Sequence, residues 1–171
     1  MESNGVLVDG FDRIRDVVHQ VLDGLDPDEL TFRPGPHANS IAWLIWHLAR
    51  VQDDHIAGVA GTEQVWTTGG WMDRFGLPFD PAATGYGQSS SEVAQVRVST
   101  PDELRGYFDA VHERTVAFVG GVTPVDLDRV VDRRWDPPVT LGVRLISVIA
   151  DDLQHAGQAA YVRGLLESPT S

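Results

Sequence analysis

The residues best placed to do chemistry are Asp151, Asp152 and His155, set within LGVRLISVIADDLQHAGQAAYVRGLL, residues 141–166, an otherwise apolar stretch. Residues four apart on a helix stand one above the other, so the Asp151 carboxylate and the His155 imidazole share a face. Burying an unpaired charge is costly, and the natural partner for such a pair is a metal ion. A third ligand can come from a second helix, His47 in SIAWLIWHLARVQDDHIAGV, residues 40–59. Two neutral imidazoles and one carboxylate suit a divalent ion, Zn²⁺ first and Ni²⁺ or Fe²⁺ as alternatives, with open positions left for water or substrate. Asp152 competes with Asp151: a helical wheel sets it nearer the centre of the apolar stripe, as an alternative ligand or as a group that orients a ligand histidine from behind. His55 reads either as a fourth ligand or proton carrier, or as a packed helix histidine.

The elements that must position these groups follow from periodicity. Residues 141–166 read as one long helix, N-capped by Thr140 and stopped by Pro169, with Leu141, Leu145, Val148, Ile149, Ala156, Ala159 and Leu166 on one face. The first helix runs from about Gly5 to Gly24, capped by Asn4 or Ser3, with Leu7, Phe11, Ile14, Val18 and Val21 as its stripe. A Pro- and Gly-rich loop, 31–40, leads to the second helix, capped by Asn39 or Ser40, with Ile41, Leu44, Leu48, Val51 and Val59 facing the core. Thr100-Pro101-Asp102-Glu103 carries a capping-box start, and Leu104, Phe108, Val111, Thr115 and Phe118 continue the third helix to Gly120-Gly121. His19, His37 and His112 fall off these stripes and read as surface residues. Arg163 leans inward near the end of the last helix, as an ion-pair partner or a surface charge.

Between the second and third helices lies a long aperiodic crossover, 61–99, containing Trp66, Trp71, Phe75, Phe79 and Tyr86, with short helices expected at WMDRF (71–75) and SEVAQV (91–96). Connections of this length are functional or mobile as a rule. Its aromatics either wall a pocket over the site or tie the crossover to the bundle. PDEL (27–30) and TPVDLD (123–128) read as short capped turns, and VVDRRWDPPVT (130–140) as an extended connector anchored by Trp135. Four long helices with one long connection give an all-α fold, a four-helix bundle with a crossover between helices 2 and 3.

At 171 residues the chain is expected to be one domain, 1–171. A net charge of −12 argues against nucleic acid or an anionic membrane as partner. MESNGVLVDG has no leader-like basic and apolar pattern, and no stretch approaches a membrane span, so a cytoplasmic location is expected. Cysteine is absent, which leaves only His, Asp and Glu as metal ligands and excludes a cysteine nucleophile. All thirteen basic residues are Arg, which excludes a Schiff-base lysine and hints at a GC-rich bacterial genome.

WLIWHLARVQDDH together with DDLQHAGQAAYVRGLL resembles the DinB/YfiT-like superfamily of metal-binding four-helix bundles. Within it the pattern is most similar to the mycothiol-dependent branch, typified by the N-terminal domain of maleylpyruvate isomerase, and WMDRFGLP (71–78) in the crossover extends the likeness. The resemblance implies ligands at His47, in the context Trp43 to His47-Leu48, and at Asp151 and His155-Ala156-Gly157. Asp151 stands where relatives carry His or Glu, and Gln158 where many carry His. The second domain of the isomerase has no counterpart here, so that activity is not implied. A homodimer is, since relatives dimerise.

With no cysteine in the chain, thiol chemistry of the kind the resemblance implies needs a thiol cosubstrate. A metal-bound thiol is deprotonated at neutral pH, giving a nucleophile without a protein base. The expected function is thus a divalent-metal-dependent thiol S-transferase. It would use a low-molecular-weight thiol, mycothiol if the source is actinobacterial, against a small electrophilic substrate. The alternatives are a metal-dependent hydrolase, or a non-catalytic stress-related binding protein with a vestigial metal site.

Overall fold

A computed structural model describes residues 2–167; Pro169, the expected stop of the last helix, and the rest of 168–171 lie outside the described residues. The chain begins with α1 (Ser3–Leu22), a short α2 (Pro27–Thr31) and α3 (Ile41–Ala60). Single-turn helices α4 (Val65–Thr68), α5 (Trp71–Phe75) and α6 (Ser90–Val93) punctuate the crossover. Then come α7 (Pro101–Gly120), α8 (Pro124–Leu127), an antiparallel hairpin of β1 (Val130–Asp132) and β2 (Val139–Thr140), and α9 (Leu141–Glu167).

The fold is the expected all-α bundle, built from α1, α3, α7 and α9. The close pairs are α3 with α9, α1 with α7, α1 with α9, and α3 with α7, so α1 lies diagonally from α3 and α7 from α9. Cross-helix contacts fix the directions. His47 meets His155 while His55 meets Arg144, so α3 and α9 are antiparallel. Asn4 reaches Gly120 while His19 reaches Asp109, so α1 and α7 are antiparallel as well. Gly10 approaches Ile149 and Arg163 reaches Gln20, which makes α1 and α9 parallel. It follows that α3 and α7 also run in the same direction. Parallel neighbours of 20 residues each, about 30 Å long, cannot be joined by a tight turn. The crossover is long because it must return along the bundle.

Two buried charges on α3 hold that crossover. The Asp53 carboxylate accepts hydrogen bonds from the Val65 and Trp66 amides (2.9 and 2.8 Å) and from the Tyr107 hydroxyl (2.9 Å). Arg50, with no solvent exposure, lies 3.6 Å from Asp53 and donates to the Ala83 and Pro81 carbonyls (3.1 and 3.3 Å) and to the Tyr107 oxygen (3.2 Å). Burial pushes the Tyr107 hydroxyl pKa well up, so it stays protonated and donates. Trp66, Trp71 and Phe75 pack around the Tyr107 ring at 5.1–5.9 Å, and Phe79 packs on Trp46 at 5.7 Å. These aromatics tie the crossover to the core.

Several expectations are corrected, and open alternatives are resolved. The α1 terminus has no side-chain cap: Asn4 donates instead across the bundle to the Gly120 carbonyl (2.9 Å). Ser40, not Asn39, caps α3 through the Trp43 amide (3.1 Å). Thr100 makes no cap bond, and Glu103 accepts from the Ser99 amide instead (3.0 Å). His112 is buried because α1 covers that side of α7, where Asp12 lies 3.0 Å from its Nε2. His19 is partly buried against Asp109 (2.7 Å) for the same reason. Trp135 is 65% exposed and anchors nothing. The hairpin is held by Asp132, paired with Arg134 at 2.8 Å and Arg144 at 3.2 Å. Arg163 spans both readings, pairing with Glu167 (2.8 Å) and donating to the Val21 and Asp23 carbonyls (both 2.8 Å) at the end of α1.

Removing one member of a buried ion pair leaves the other charge uncompensated, at a cost of about 3–5 kcal/mol. Asp53→Ala is therefore expected to lower unfolding stability by about that amount, whereas Asp54→Ala, on a half-exposed neighbour, changes it by less than about 1 kcal/mol. Chemical denaturation of the two variants beside the parent measures the difference.

Candidate metal centre

His47, Asp151 and His155 converge where α3 and α9 face each other. Each offers a ligand atom, and these atoms all lie within 4.8 Å of one another. The rings of the two histidines sit edge to face, 4.5 Å between centroids, and His47 Nε2 is 3.9 Å from Asp151 Oδ2. Tetrahedral ligands at bond lengths near 2.0–2.1 Å are separated by about 3.4 Å, so small side-chain rotations would close the set on an ion. Asp151, with an arm shorter than that of Glu, brings its Oδ2 to 3.9 Å from His47 Nε2.

Both ring tautomers are preset. His47 Nδ1 lies 2.5 Å from the Thr84 carbonyl oxygen and must donate to it, leaving a lone pair on Nε2. His155 Nδ1 is 2.8 Å from the Asp151 main-chain carbonyl, with the same consequence for its Nε2. The Asp151 Oδ2 is buried without a hydrogen-bond partner, an acceptor that a cation would satisfy. Trp43 stacks on His47 at 4.5 Å and 13°, its own Nε1 donating to Gln88 (2.7 Å), and so shields one side of the site. The donor set fits a divalent ion.

The charge states agree with that use. Desolvation lowers the His47 pKa and keeps the ring neutral, ready to ligate. Burial also works against a charged His155, but the Asp151 carboxylate, 3.4 Å from its Nδ1, and the hydrogen bond to the Asp151 carbonyl outweigh it and raise its pKa. For Asp151 burial again opposes charge, and the closeness of His155, whose Nδ1 lies 3.4 Å from Oδ2, together with the nearby His47 imidazole prevails, so its pKa is lowered. Asp152 is the opposite case: fully buried, with both oxygens lacking a partner, its pKa is raised well above the ordinary range by desolvation and by Asp151. A carboxyl turned into the core with both oxygens unpartnered is no part of the trio, and it orients neither histidine. Backbone carbonyls do that.

His55 is also outside the trio. Its Nδ1 accepts from Arg144 Nη1 (3.0 Å), and desolvation with the Arg144 charge lowers its pKa. It lines the same solvent-facing recess of about 390 Å³ as His47, Asp151, Thr84, Tyr86 and Ser147. Tyr86, 93% exposed, is the one crossover aromatic on that recess; the others serve the core. His37 lies in its exposed loop as expected. Sequence reasoning missed Thr84 and Gly85. Gly85 has φ +95°, and a Cβ there would stand 2.8 Å from His47 Nδ1 and 3.1 Å from the Trp43 ring. The only sequence signal was a glycine in an irregular loop.

Gly85→Ala should displace the loop from His47 and weaken zinc affinity by roughly 10–100-fold, the usual loss when a ligand's orienting partner goes. Competition against a chromogenic chelator measures it. Acid should act at His155: its raised pKa means that zinc must displace a proton there. Affinity is expected to fall about tenfold per pH unit once the pH drops below that value, with one proton released per zinc bound, as calorimetry in buffers of different ionisation heat would show.

Comparison with known proteins agrees with this architecture. The chain is similar to a conserved protein of Enterococcus faecalis known from its crystal structure, with TM-score 0.90 and 30% identity over 96% of this chain and 97% of that one. No curated protein matches it. No described helix is long and apolar enough to cross a membrane. Residues 10–159 match the family model of the DinB superfamily, and with this fold and this trio in place, the chain belongs to that superfamily.

Proposed function

We propose that the protein is a divalent-metal-dependent S-transferase that conjugates a low-molecular-weight thiol to a small electrophile. The observation that carries this reading is the convergence of His47, Asp151 and His155 around a buried Asp151 oxygen, beside a solvent-facing recess that His47 and Asp151 line. A divalent ion held there supplies Lewis acidity, which lowers the pKa of a thiol that ligates it. The chain contributes the rest. His47 and His155 hold fixed tautomers, Asp151 offsets the ion's charge, and the Trp43 ring keeps water from one face of His47. The chain has no cysteine, so the thiol comes from outside. Mycothiol is the thiol that the likeness of WLIWHLARVQDDH and DDLQHAGQAAYVRGLL to the mycothiol-dependent branch favours.

The zinc-, nickel- or iron-loaded protein is expected to accelerate conjugation of a thiol to a chromogenic electrophile, and chelation or His155→Ala to reduce the rate by roughly 10²-fold or more. Loss of stoichiometric metal in His155→Ala, with retention in His55→Ala, assigns the ligands. Hydrolysis of the electrophile without thiol would replace this reading with a hydrolase. A protein that neither binds metal nor turns over would replace it with a non-catalytic one.

A further inference from the structure

The recess beside the trio does not end at His55. Asp54 and His55 form a wall shared with a second recess of about 500 Å³ on the hairpin side, lined by Arg129, Arg134, Arg144 and Asp132. Helical spacing explains the continuity. On α3, His47, Val51, Asp54, His55 and Gly58 fall at i, i+4, i+7, i+8 and i+11, and on α9, Arg144, Ser147 and Asp151 fall at i, i+3 and i+7. Antiparallel packing lays the two stripes along one groove, with the trio at one end and the arginines at the other.

The arginine end carries surplus positive charge in a chain whose net charge is −12. Arg134 and Arg144 share the single carboxylate of Asp132: Arg134 donates Nε (3.0 Å) and Nη2 (2.8 Å), and Arg144 donates Nη2 (3.2 Å). Arg129 gives one N–H to the Val59 carbonyl (3.2 Å). The other acid on the wall, Asp54, accepts from the Gln64 amide (2.8 Å). Among the groups that line the recess, three guanidiniums thus face two carboxylates, with Asp126 outside it near Arg129. Arg144 also sets the state of His55: a guanidinium can only donate, so His55 Nδ1 accepts and its Nε2 carries the proton. His55 is therefore a neutral hydrogen-bond donor on the wall between the two recesses.

We propose that this arginine recess binds the carboxylate of a ligand whose reacting atom lies at the His47–Asp151–His155 trio. Planar guanidiniums match a carboxylate with paired N–H donors, a geometry that a lone ammonium does not provide. Arg144 and Asp151 are seven residues apart on α9, about 10 Å of helix, which sets the ligand's reach. The inference rests on the transferase reading only for which atom reacts. The carboxylate belongs to the thiol or to the electrophile, and the test separates these.

The probes are mercaptohexanoate against mercaptohexanamide, and, without thiol, maleimidohexanoate against its amide, each titrated into the zinc-loaded full chain. In at least one pair the acid is expected to bind about tenfold tighter than the amide. Arg129→Ala combined with Arg134→Ala, both exposed side chains, should abolish that preference while circular dichroism and zinc stoichiometry stay unchanged. In the parent the preference should also shrink with added salt. A preference in the thiol pair places the carboxylate on the thiol, and one confined to the maleimide pair places it on the electrophile. Equal binding of acid and amide in both pairs overturns the proposal, as does a preference that survives the double substitution. Absence of turnover with the preference intact removes the transferase reading and leaves this inference standing.

Discussion

The buried pair of Arg50 and Asp53 is the interaction on which the rest depends. Because α3 and α7 run in the same direction, the chain must come back along the bundle before α7 can begin. Asp53 takes the amides at the start of the return path, Val65 and Trp66, and Arg50 takes carbonyls near its middle, Pro81 and Ala83. The next residue, Thr84, gives the carbonyl that fixes His47. One pair of charges, three residues apart on a helix, thus converts a long irregular connection into a wall with a defined place for one acceptor.

Such a pair is costly to desolvate, and its attraction alone would not offset the loss of hydration. The surroundings tip the balance. Asp53 receives two amide hydrogens and the Tyr107 hydroxyl, and Arg50 donates to two carbonyls and to that same hydroxyl. Charge-assisted bonds of this kind are about twice as strong as neutral ones. The guanidinium also lies 5.1 Å from the Trp66 ring centroid, which adds an attraction that survives burial. The contrast with Asp132 is instructive. Near the surface, hydrogen bonds from Arg134 hold that carboxyl well below its ordinary pKa, with Arg144 adding its charge, and the pair pins a hairpin instead of a crossover.

The bundle was legible because its four helices carry long stripes, and the trio because ligands four apart on one helix plus one on another leave a trace in spacing. What was not legible shares a cause. The first half of α3 is buried on all sides, between α7, α9 and the crossover, so Trp43, Trp46 and Arg50, with Asp53 just beyond, form a second buried face opposite the stripe of Ile41, Leu44, Leu48 and Val51. Periodicity assumes one wet face, and this helix has none there. His112 was misplaced for a related reason, since α7 meets both α1 and α3 and its buried arc is wider than its apolar one. Thr84 acts through its backbone, which no side-chain pattern reports. The clustering of Arg129, Arg134 and Arg144 depends on the hairpin folding back onto α9.

Asp151 and Asp152 show how local surroundings, not residue type, decide what a carboxyl can do. They are adjacent, yet on a helix one step is 100°, so the two point in different directions. Asp151 turns toward two imidazoles and a solvent-facing recess, where its negative charge is favoured. Asp152 turns into the core, where desolvation raises its pKa and the charge next door adds to the effect. Burial thus works against the anion at Asp152, and an anion is what offsets the charge of a divalent ion. The helix itself therefore chooses between neighbours that the sequence leaves equal. The same step of the helix sets Arg144 and Ser147 on the Asp151 side, so the face that selects the anion is also the face along which the groove runs.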